Sequence, residues 1–201
     1  MLRHRHNQLG FTMIELMIGV AILAILFSVA APSFQTWIQN TQLRTAAESI
    51  SNGLQLARAE AVRRNTNVIF SLNGATNVDS SWTVACATPV ADLTVAGIAD
   101  CPGPGLSAPL KTFIQSHSGS EGTANASVST NNPDYTVTFS GLGRASYPIS
   151  SMLKISIANT TGGTCQFAGG TMRCLDVFVA TGGQILMCKA STSTTPPTPC
   201  N

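Results

Sequence analysis

The first third of the chain carries two different patterns of apolar residues, one after the other. Residues 16–31 form a long apolar run without a charged side chain. At a helical rise of about 1.5 Å per residue, roughly 20 residues cross the hydrocarbon core of a membrane. The first pattern therefore predicts a transmembrane helix from residue 11 to about residue 34.

From about residue 40 the apolar residues recur every three or four positions instead. The recurring residues are Leu43, Ala46, Ala47, Ile50, Leu54, Ala57 and Ala61. This spacing predicts an amphipathic helix with one buried stripe, ending near the basic pair at 63–64. Because Phe34, Trp37 and Ile38 keep helical spacing after Pro32, the two segments are predicted to form one helix of about 50 residues, roughly 75 Å long.

The rest of the chain has the pattern of short strands separated by turn residues. Seven segments are rich in Val, Ile, Phe and Thr and bounded by Gly, Pro, Asn or Ser clusters. They are Asn67–Leu72, Trp82–Ala87, Lys111–Gln115, Tyr135–Ser140, Leu153–Ala158, Leu175–Ala180 and Gln184–Cys188. Three long loops are predicted at 88–109, 116–133 and 190–201. A helix followed by strands predicts an α+β head, with the amphipathic stripe covering one face of an antiparallel sheet.

Charged residues border the apolar run on its N-terminal side. Arg3 and Arg5 place the N-terminus in the cytoplasm and the bulk of the chain outside. Glu15 lies at the start of the run, where an isolated carboxylate in hydrocarbon costs several kcal/mol and therefore requires a partner. An ordinary secretory signal, cleaved near 28–30, is the alternative interpretation. The acid inside the apolar run argues against it.

The string Gly10-Phe11-Thr12-Met13-Ile14-Glu15-Leu16 closely resembles the class III signal of type IV pilins and pseudopilins. The resemblance implies that a prepilin peptidase cleaves after Gly10 and that Phe11 becomes the N-methylated terminus. It also implies that Glu15 meets the amino group of a neighbouring subunit during filament assembly. The implied division is a leader at 1–10, a transmembrane helix half at 11–38 and a periplasmic head at 39–201.

Removal of that leader would leave a chain without net charge. The full chain has eleven Lys and Arg and nine Asp and Glu, and loss of Arg3 and Arg5 leaves nine of each sign. A neutral chain has no global attraction to nucleic acid or anionic lipid, so such binding requires a local patch.

All six cysteines follow the predicted membrane segment. They are Cys86, Cys101, Cys165, Cys174, Cys188 and Cys200. An even number outside the membrane indicates disulfides in an oxidising compartment, and the absence of a C-x-x-C spacing argues against zinc. Among the 15 pairings, sequence-local ones are our hypothesis, namely Cys86 with Cys101 and Cys188 with Cys200. Cys174 with Cys188 is a competing pair.

The sequence offers no recognisable catalytic or cofactor site. The predicted mature chain has one histidine, His117, in a polar segment, and no H-E-x-x-H, D-x-D or phosphate-binding glycine loop. We therefore predict no catalytic residues, no metal and no cofactor, and a protein that is not an enzyme.

The segment 56–65, which reads LARAEAVRRN, resembles the Ala-Arg-x-Glu-Ala signature of the GspH/FimT branch of the pilin family. That branch includes minor pilins of type IV pili and a minor pseudopilin of type II secretion. The resemblance is strongest over 10–70 and weaker at 139–144 and in the closing hairpin at 174–188.

DNA-uptake members of this branch carry a Gly-Arg-x-Arg motif in the closing turn, and this chain has Gly182-Gly183-Gln184-Ile185 there. Because Lys and Arg contacts to phosphate supply most nonspecific affinity for DNA, the loss of both arginines argues against DNA binding at this turn. The remaining candidate is a weak patch of scattered cations. Its members are Arg144, Lys154, Arg173 and Lys189.

Two hypotheses follow. In the first, the protein is a minor pilin or pseudopilin that helps to prime or cap a filament, with other pilins, the prepilin peptidase and the bacterial inner membrane as partners. The assembled form would be part of a type IV pilus or of a type II secretion pseudopilus, and the sequence leaves both open. In the second, the protein is a DNA-binding minor pilin for DNA uptake.

Overall fold

The computed structural model describes residues 11–73, 79–87, 113–159 and 161–193, together with Pro196 and Cys200, and at 29–32 and 113 it describes the backbone alone. One helix, α1, spans Met13–Arg64 and has 52 residues. The prediction of a single helix of about 50 residues that continues beyond Pro32 is confirmed. By its internal contacts the chain divides into two units, Met1–Trp37 and Ile38–Asn201.

Among the described residues of the second unit, nine strands and one short 3-10 helix follow α1. The strands are β1 Val68–Leu72, β2 Trp82–Cys86, β3 Phe113–His117, β4 Ala126–Thr130, β5 Thr136–Phe139, β6 Ala145–Ser146, β7 Leu153–Asn159, β8 Leu175–Val179 and β9 Ile185–Lys189. The 3-10 helix is Gln166–Ala168. The first sheet has the order β3-β2-β1-β5-β6 and the second the order β4-β7-β8-β9. All strand pairs are antiparallel. The predicted α+β architecture is therefore confirmed.

The predicted apolar stripe of α1 is the centre of the core of the second unit. All seven of its residues, from Leu43 to Ala61, are fully buried. They belong to one cluster with inward-facing residues of both sheets, among them Phe70, Phe139 and Ile155. Residues spaced three and four apart lie on one helix face, so the sequence spacing dictates this contact directly.

A glycine sets the close approach of α1 to the first sheet. A Cβ at Gly53 would lie 2.8 Å from ring atoms of both Phe70 and Trp82. The two rings pack with their centroids 5.8 Å apart, and the Trp82 indole N–H donates to Ser49 Oγ at 3.0 Å. The buried indole therefore has a hydrogen-bond partner on the helix that covers it.

The sequence-based expectations fail at the polar segments. The predicted loop at 116–133 contains β4, in which the buried Ala126 and Val128 alternate with Ser127 and Ser129. So few apolar residues give a weak alternation, and β4 forms because β7 pairs with it along five residues. The short strand β6 was also not predicted, and the strand expected at Lys111–Gln115 lies at Phe113–His117. The predicted loop at 88–109 lies outside the described residues.

Candidate functional site

The signal-like segment begins the helix with a recognisable cap. Thr12 precedes the first helical residue, and its Oγ1 accepts a hydrogen bond from the Glu15 backbone N–H at 3.4 Å. Thr-x-x-Glu is the spacing of a capping box. The Glu15 carboxylate itself is exposed and makes no hydrogen bond or ion pair with any described residue. Phe11 is 83% exposed, and Gly10 lies outside the described residues.

The first unit carries many exposed large apolar side chains. They are Phe11, Met13, Ile14, Leu16, Met17, Ile18, Val20, Ile22, Leu23, Ile25, Leu26, Phe27, Phe34 and Trp37. A contiguous apolar surface of this size marks a segment that contacts another protein or a membrane. Across the described residues, no single helix has both the length and the apolar character to span a membrane. The two parts of α1 on either side of residues 29–32, Met13–Ser28 and Ser33–Arg64, meet both criteria only when they are taken together as a bent pair.

The other end of α1 contacts two turns. The Arg58 guanidinium donates through Nε to the backbone oxygen of Gly143 at 3.2 Å, and Gly143 lies in the β5–β6 turn with φ +74°. A Cβ at Gly183, in the β8–β9 turn with φ +82°, would lie against the same Gly143 oxygen and 3.0 Å from Arg58 Nε. Because the Ala145 N–H also donates to the Thr181 oxygen, at 3.0 Å, this point joins the two sheets.

An open groove lies between α1 and the β8–β9 turn. We call it the closing groove, and its volume is about 710 Å³. It is lined by Gln55, Arg58, Ala59, Val62, Arg63, Gln184 and Ile185. The residue pattern did not predict it, because Arg58 and Gln184 are 126 positions apart and only the tertiary fold brings them together. The only sequence signal was that both lie in segments resembling the branch's motifs.

The last turn of α1 has its own charge network. Glu60 Oε2 accepts from Arg63 Nη2 at 2.8 Å and from Arg64 Nε at 2.7 Å. The hydrogen bond from Arg63 is the main reason that the pKa of the Glu60 carboxyl lies below its ordinary value of 4.5; burial opposes the shift and Arg64 adds to it. The acid of the Ala-Arg-x-Glu-Ala signature thus contacts both cations at the helix end and offsets part of their positive charge.

The four cations of the predicted DNA patch do not converge. Lys154 Nζ is 3.1 Å from the Asp176 carboxylate and donates to the backbone oxygens of Ser191 and Ser193. Its side chain is 14% exposed, so its charge is used within the protein. The other three are exposed. Lys189 lies opposite Leu175, the first residue of β8, and Arg173 lies two residues before that strand. Arg144 lies at the other end of β8, beside the β8–β9 turn.

The contact between Lys154 and Asp176 fastens the C-terminal tail. Asp176 Oδ2 also accepts from the Ser191 backbone N–H at 3.1 Å, and the Asp176 side chain is 1% exposed. On the same strand and the same face, Phe178 is fully buried without belonging to the core cluster beside α1. The tail therefore contacts the face of the second sheet opposite the core. The sequence did not predict this role, because Asp176 is not part of a recognisable pattern of charged residues.

Two disulfides in the head distinguish between the predicted cysteine pairings. Cys188 is bonded to Cys200, as predicted, with Cα atoms 4.9 Å apart, and Cys165 is bonded to Cys174. The competing pair Cys174 with Cys188 is wrong: across the β8–β9 hairpin Cys188 lies opposite Asp176, whereas Cys174 accepts a hydrogen bond from Ala190. Cys86 is disulfide-bonded, and its predicted partner Cys101 lies outside the described residues.

The single histidine of the predicted mature chain packs against an aromatic ring. His117 stacks on Trp82 with ring centroids 5.8 Å apart, and its Nδ1 lies 4.0 Å from Glu121. Its Nε2 is buried and meets no partner in the described part of the chain. The described residues contain no group of three or more His, Cys, Asp or Glu side chains that can hold a metal ion.

Comparison with known proteins yields two family matches. A model described as the type II transport protein GspH matches residues 46–193, about three quarters of the chain. A model described as the prokaryotic N-terminal methylation motif matches residues 5–31.

Curated relatives and a solved structure give partial matches. Two fimbrial proteins of Pseudomonas aeruginosa are each 39% identical over 64 residues, which is 32% of this chain and 41% of theirs. The chain thus spans about two fifths of the length of the curated relatives it matches. The crystal structure of the type IV minor pilin FimU of P. aeruginosa aligns with a TM-score of 0.51 at 16% identity, over 81% of this chain and 97% of that one. This likeness concerns the fold, which is that of a type IV pilin.

Proposed function

The chain belongs to the GspH family of type IV minor pilins and pseudopilins, and from that premise we propose that it is a structural subunit that helps to initiate or cap a filament of a type IV pilus or secretion machine. The observation that carries the proposal is the apolar surface of residues 11–28 and 33–37, where every large apolar side chain that the structure describes is more than half exposed. Such a surface is stable only in lipid or against other apolar helices.

The N-terminal methylation motif supports a processed membrane anchor. We propose that residues 1–10 are a leader removed after Gly10, that residues 11–38 anchor the subunit in the inner membrane, and that residues 39–201 form the periplasmic head. Two disulfides in the head fit an oxidising compartment.

Glu15 is proposed to pair with the terminal amine of Phe11 on a neighbouring subunit. Its carboxylate has no partner among the described residues, and an unpaired charge in an apolar layer is costly. Cleavage after Gly10 would create the complementary cation. The pair would then favour one axial register between adjacent helices.

Two variants separate this role from helix capping. Glu15→Ala removes both the charge and the third residue of the capping box, whereas Glu15→Gln keeps a residue that caps equally well and removes the charge alone. We expect both variants to insert in the membrane and to be depleted from the sheared filament fraction. Glu48→Ala, a loss of another exposed helix acid, is the control and should assemble normally.

Quantitative immunoblots of the membrane and filament fractions give the readout. Normal assembly of Glu15→Gln beside failure of Glu15→Ala would assign Glu15 to capping. Normal assembly of both would contradict the charge pair, and absence of the unmodified protein from filaments would contradict the proposed function.

A further inference from the structure

The cations of the second half of α1 are compensated unequally. Arg44 pairs with Glu48 at 2.7 Å, and Arg63 and Arg64 share Glu60. Arg58 has no carboxylate partner among the described residues: its one hydrogen bond there is the Nε contact to Gly143. Its two Nη groups thus keep their donors at the edge of the closing groove.

Arg58 is nevertheless held in position. The bond to the Gly143 oxygen and the close approach of Gly183 restrict the guanidinium from two sides. A restricted guanidinium loses little conformational entropy when its remaining donors bind, and its planar fork matches a carboxylate. The site is therefore arranged before any ligand arrives.

Besides Arg58, the closing groove is lined by three apolar residues, by the amides of Gln55 and Gln184, and by Arg63, which contacts Glu60. Ala59 and Ile185 lie beside Val62, which is 51% exposed, and the exposed Gln184 supplies a further donor and acceptor. A cavity of about 710 Å³ accommodates several side chains. This composition suits a carboxylate next to an aliphatic side chain rather than a polyanion.

Phosphate-rich ligands fit the closing groove less well. Binding to a nucleic-acid backbone requires several cations along one surface. Arg63 already contacts Glu60, Lys154 contacts Asp176, and Arg173 and Lys189 lie at the far end of β8. Arg58 with its neighbour Arg144 provides too few free cations for a nucleic-acid track in the described part of the head.

We propose that the closing groove binds an acidic side chain, flanked by an aliphatic one, of a neighbouring filament subunit. This inference rests on the proposed function. It adds a contact between the heads of two neighbouring subunits to the contacts of the apolar half of α1. The carboxylate would bind the Nη groups of Arg58, and the aliphatic neighbour would cover Val62 and Ile185.

Two exposed positions of one turn provide a matched test that leaves Arg58 untouched. Gln184→Glu places a negative charge in the closing groove, whereas Thr181→Glu places the same charge on the same turn outside its lining. A photoreactive phenylalanine derivative replaces Val62 in the full-length protein, and cross-linking is carried out in cells that assemble the filament. Thermal melts of each variant verify that the head remains folded.

We expect Val62 cross-links to a peptide of another pilin subunit that contains Asp or Glu. Gln184→Glu should lower their yield by about fivefold or more, because like charges then face each other, and Thr181→Glu should change it by less than about twofold. Equal yields in the two variants, or cross-links to DNA, would overturn the inference.

The filament fraction distinguishes failure of the closing-groove contact from failure of the proposed function. A subunit present in filaments but without Val62 cross-links contradicts the closing-groove contact alone. A subunit absent from filaments contradicts the proposed function.

Discussion

The two units of the chain share one helix but differ in where their apolar residues are packed. In residues 13–28 and 33–37 the large apolar side chains lie on all sides of the helix and are exposed. In the second half of α1, seven apolar residues from Leu43 to Ala61 form one stripe that is fully buried against the two sheets. A stripe with a period of 3.6 residues specifies packing within the subunit, whereas an all-round apolar surface specifies packing against something else. The sequence pattern alone therefore separates self-sufficient folding from assembly.

The largest effect is expected from shortening a side chain in the buried stripe. Leu54→Ala should lower the free energy of unfolding of the head by about 2–5 kcal/mol, because it removes fully buried methyl groups and leaves a cavity. Leu23→Ala, the same change in the exposed half, should leave the unfolding of the head unchanged. Chemical denaturation of the detergent-solubilised protein, followed by tryptophan fluorescence, measures both. An equal loss in the two variants would contradict the division into two units.

The buried ion pair should have the next largest effect. Lys154→Met leaves the Asp176 carboxylate, which is 1% exposed, without its cation, and we expect a loss of about 2–4 kcal/mol. Residues 191–193 should also become more sensitive to protease, since Lys154 binds two of their backbone oxygens. The double variant Lys154→Met with Asp176→Leu should recover most of the stability, because no charge is then left buried. A double variant as unstable as the single one would contradict this explanation.

A smaller loss is expected where the two turns meet. Gly183→Ala places a Cβ against the Gly143 oxygen at a φ of +82°, and such backbone strain costs about 1–3 kcal/mol. Gly182→Ala is the matched control, because a Cβ there meets no atom within 4 Å. The two melting temperatures should therefore differ clearly. Similar melting temperatures would show that the turns do not fix each other.

The smallest effect is expected at the end of α1 and depends on pH. The pKa of Glu60 is lowered in the folded protein, so its contribution is complete above the ordinary value of 4.5 and is lost as the pH falls through the folded-state pKa. Glu60→Gln should cost up to about 1 kcal/mol at pH 7, because the pair is near the surface. The difference from the unmodified protein should shrink as the pH is lowered below 4.5, as urea titrations at neutral and at acidic pH would show. A difference that persists there would mean that charge is not the cause.

The sequence predicted those features that depend on local spacing. The stripe of α1 and most strands follow from neighbouring residues, and the Cys188–Cys200 pair follows from proximity along the chain. The remaining features depend on which strands lie side by side. Lys154 was assigned to a surface patch, yet the pairing of β7 with β8 places it against Asp176.

The closing groove was likewise not predictable from local spacing. Arg58 was recognised as part of a family signature, but its contact with the Gly143 turn requires two sheets to meet at one end. The strand β4 was missed because its serines and threonines resemble a loop until β7 supplies hydrogen bonds. Side-chain roles that depend on tertiary neighbours are thus beyond the reach of periodicity.

The most direct test of whether the apolar half of α1 packs against neighbouring subunits places a photoreactive residue in each half of the helix. The first position is Leu23, on the exposed apolar half, and the second is Thr45, an exposed position in the head half. Cross-linking in cells that assemble filaments should join Leu23 to the apolar helix of another pilin subunit at higher yield than Thr45. Cross-links of Leu23 to lipid alone, in filament fractions that contain the protein, would contradict the claim that this half packs against neighbouring subunits.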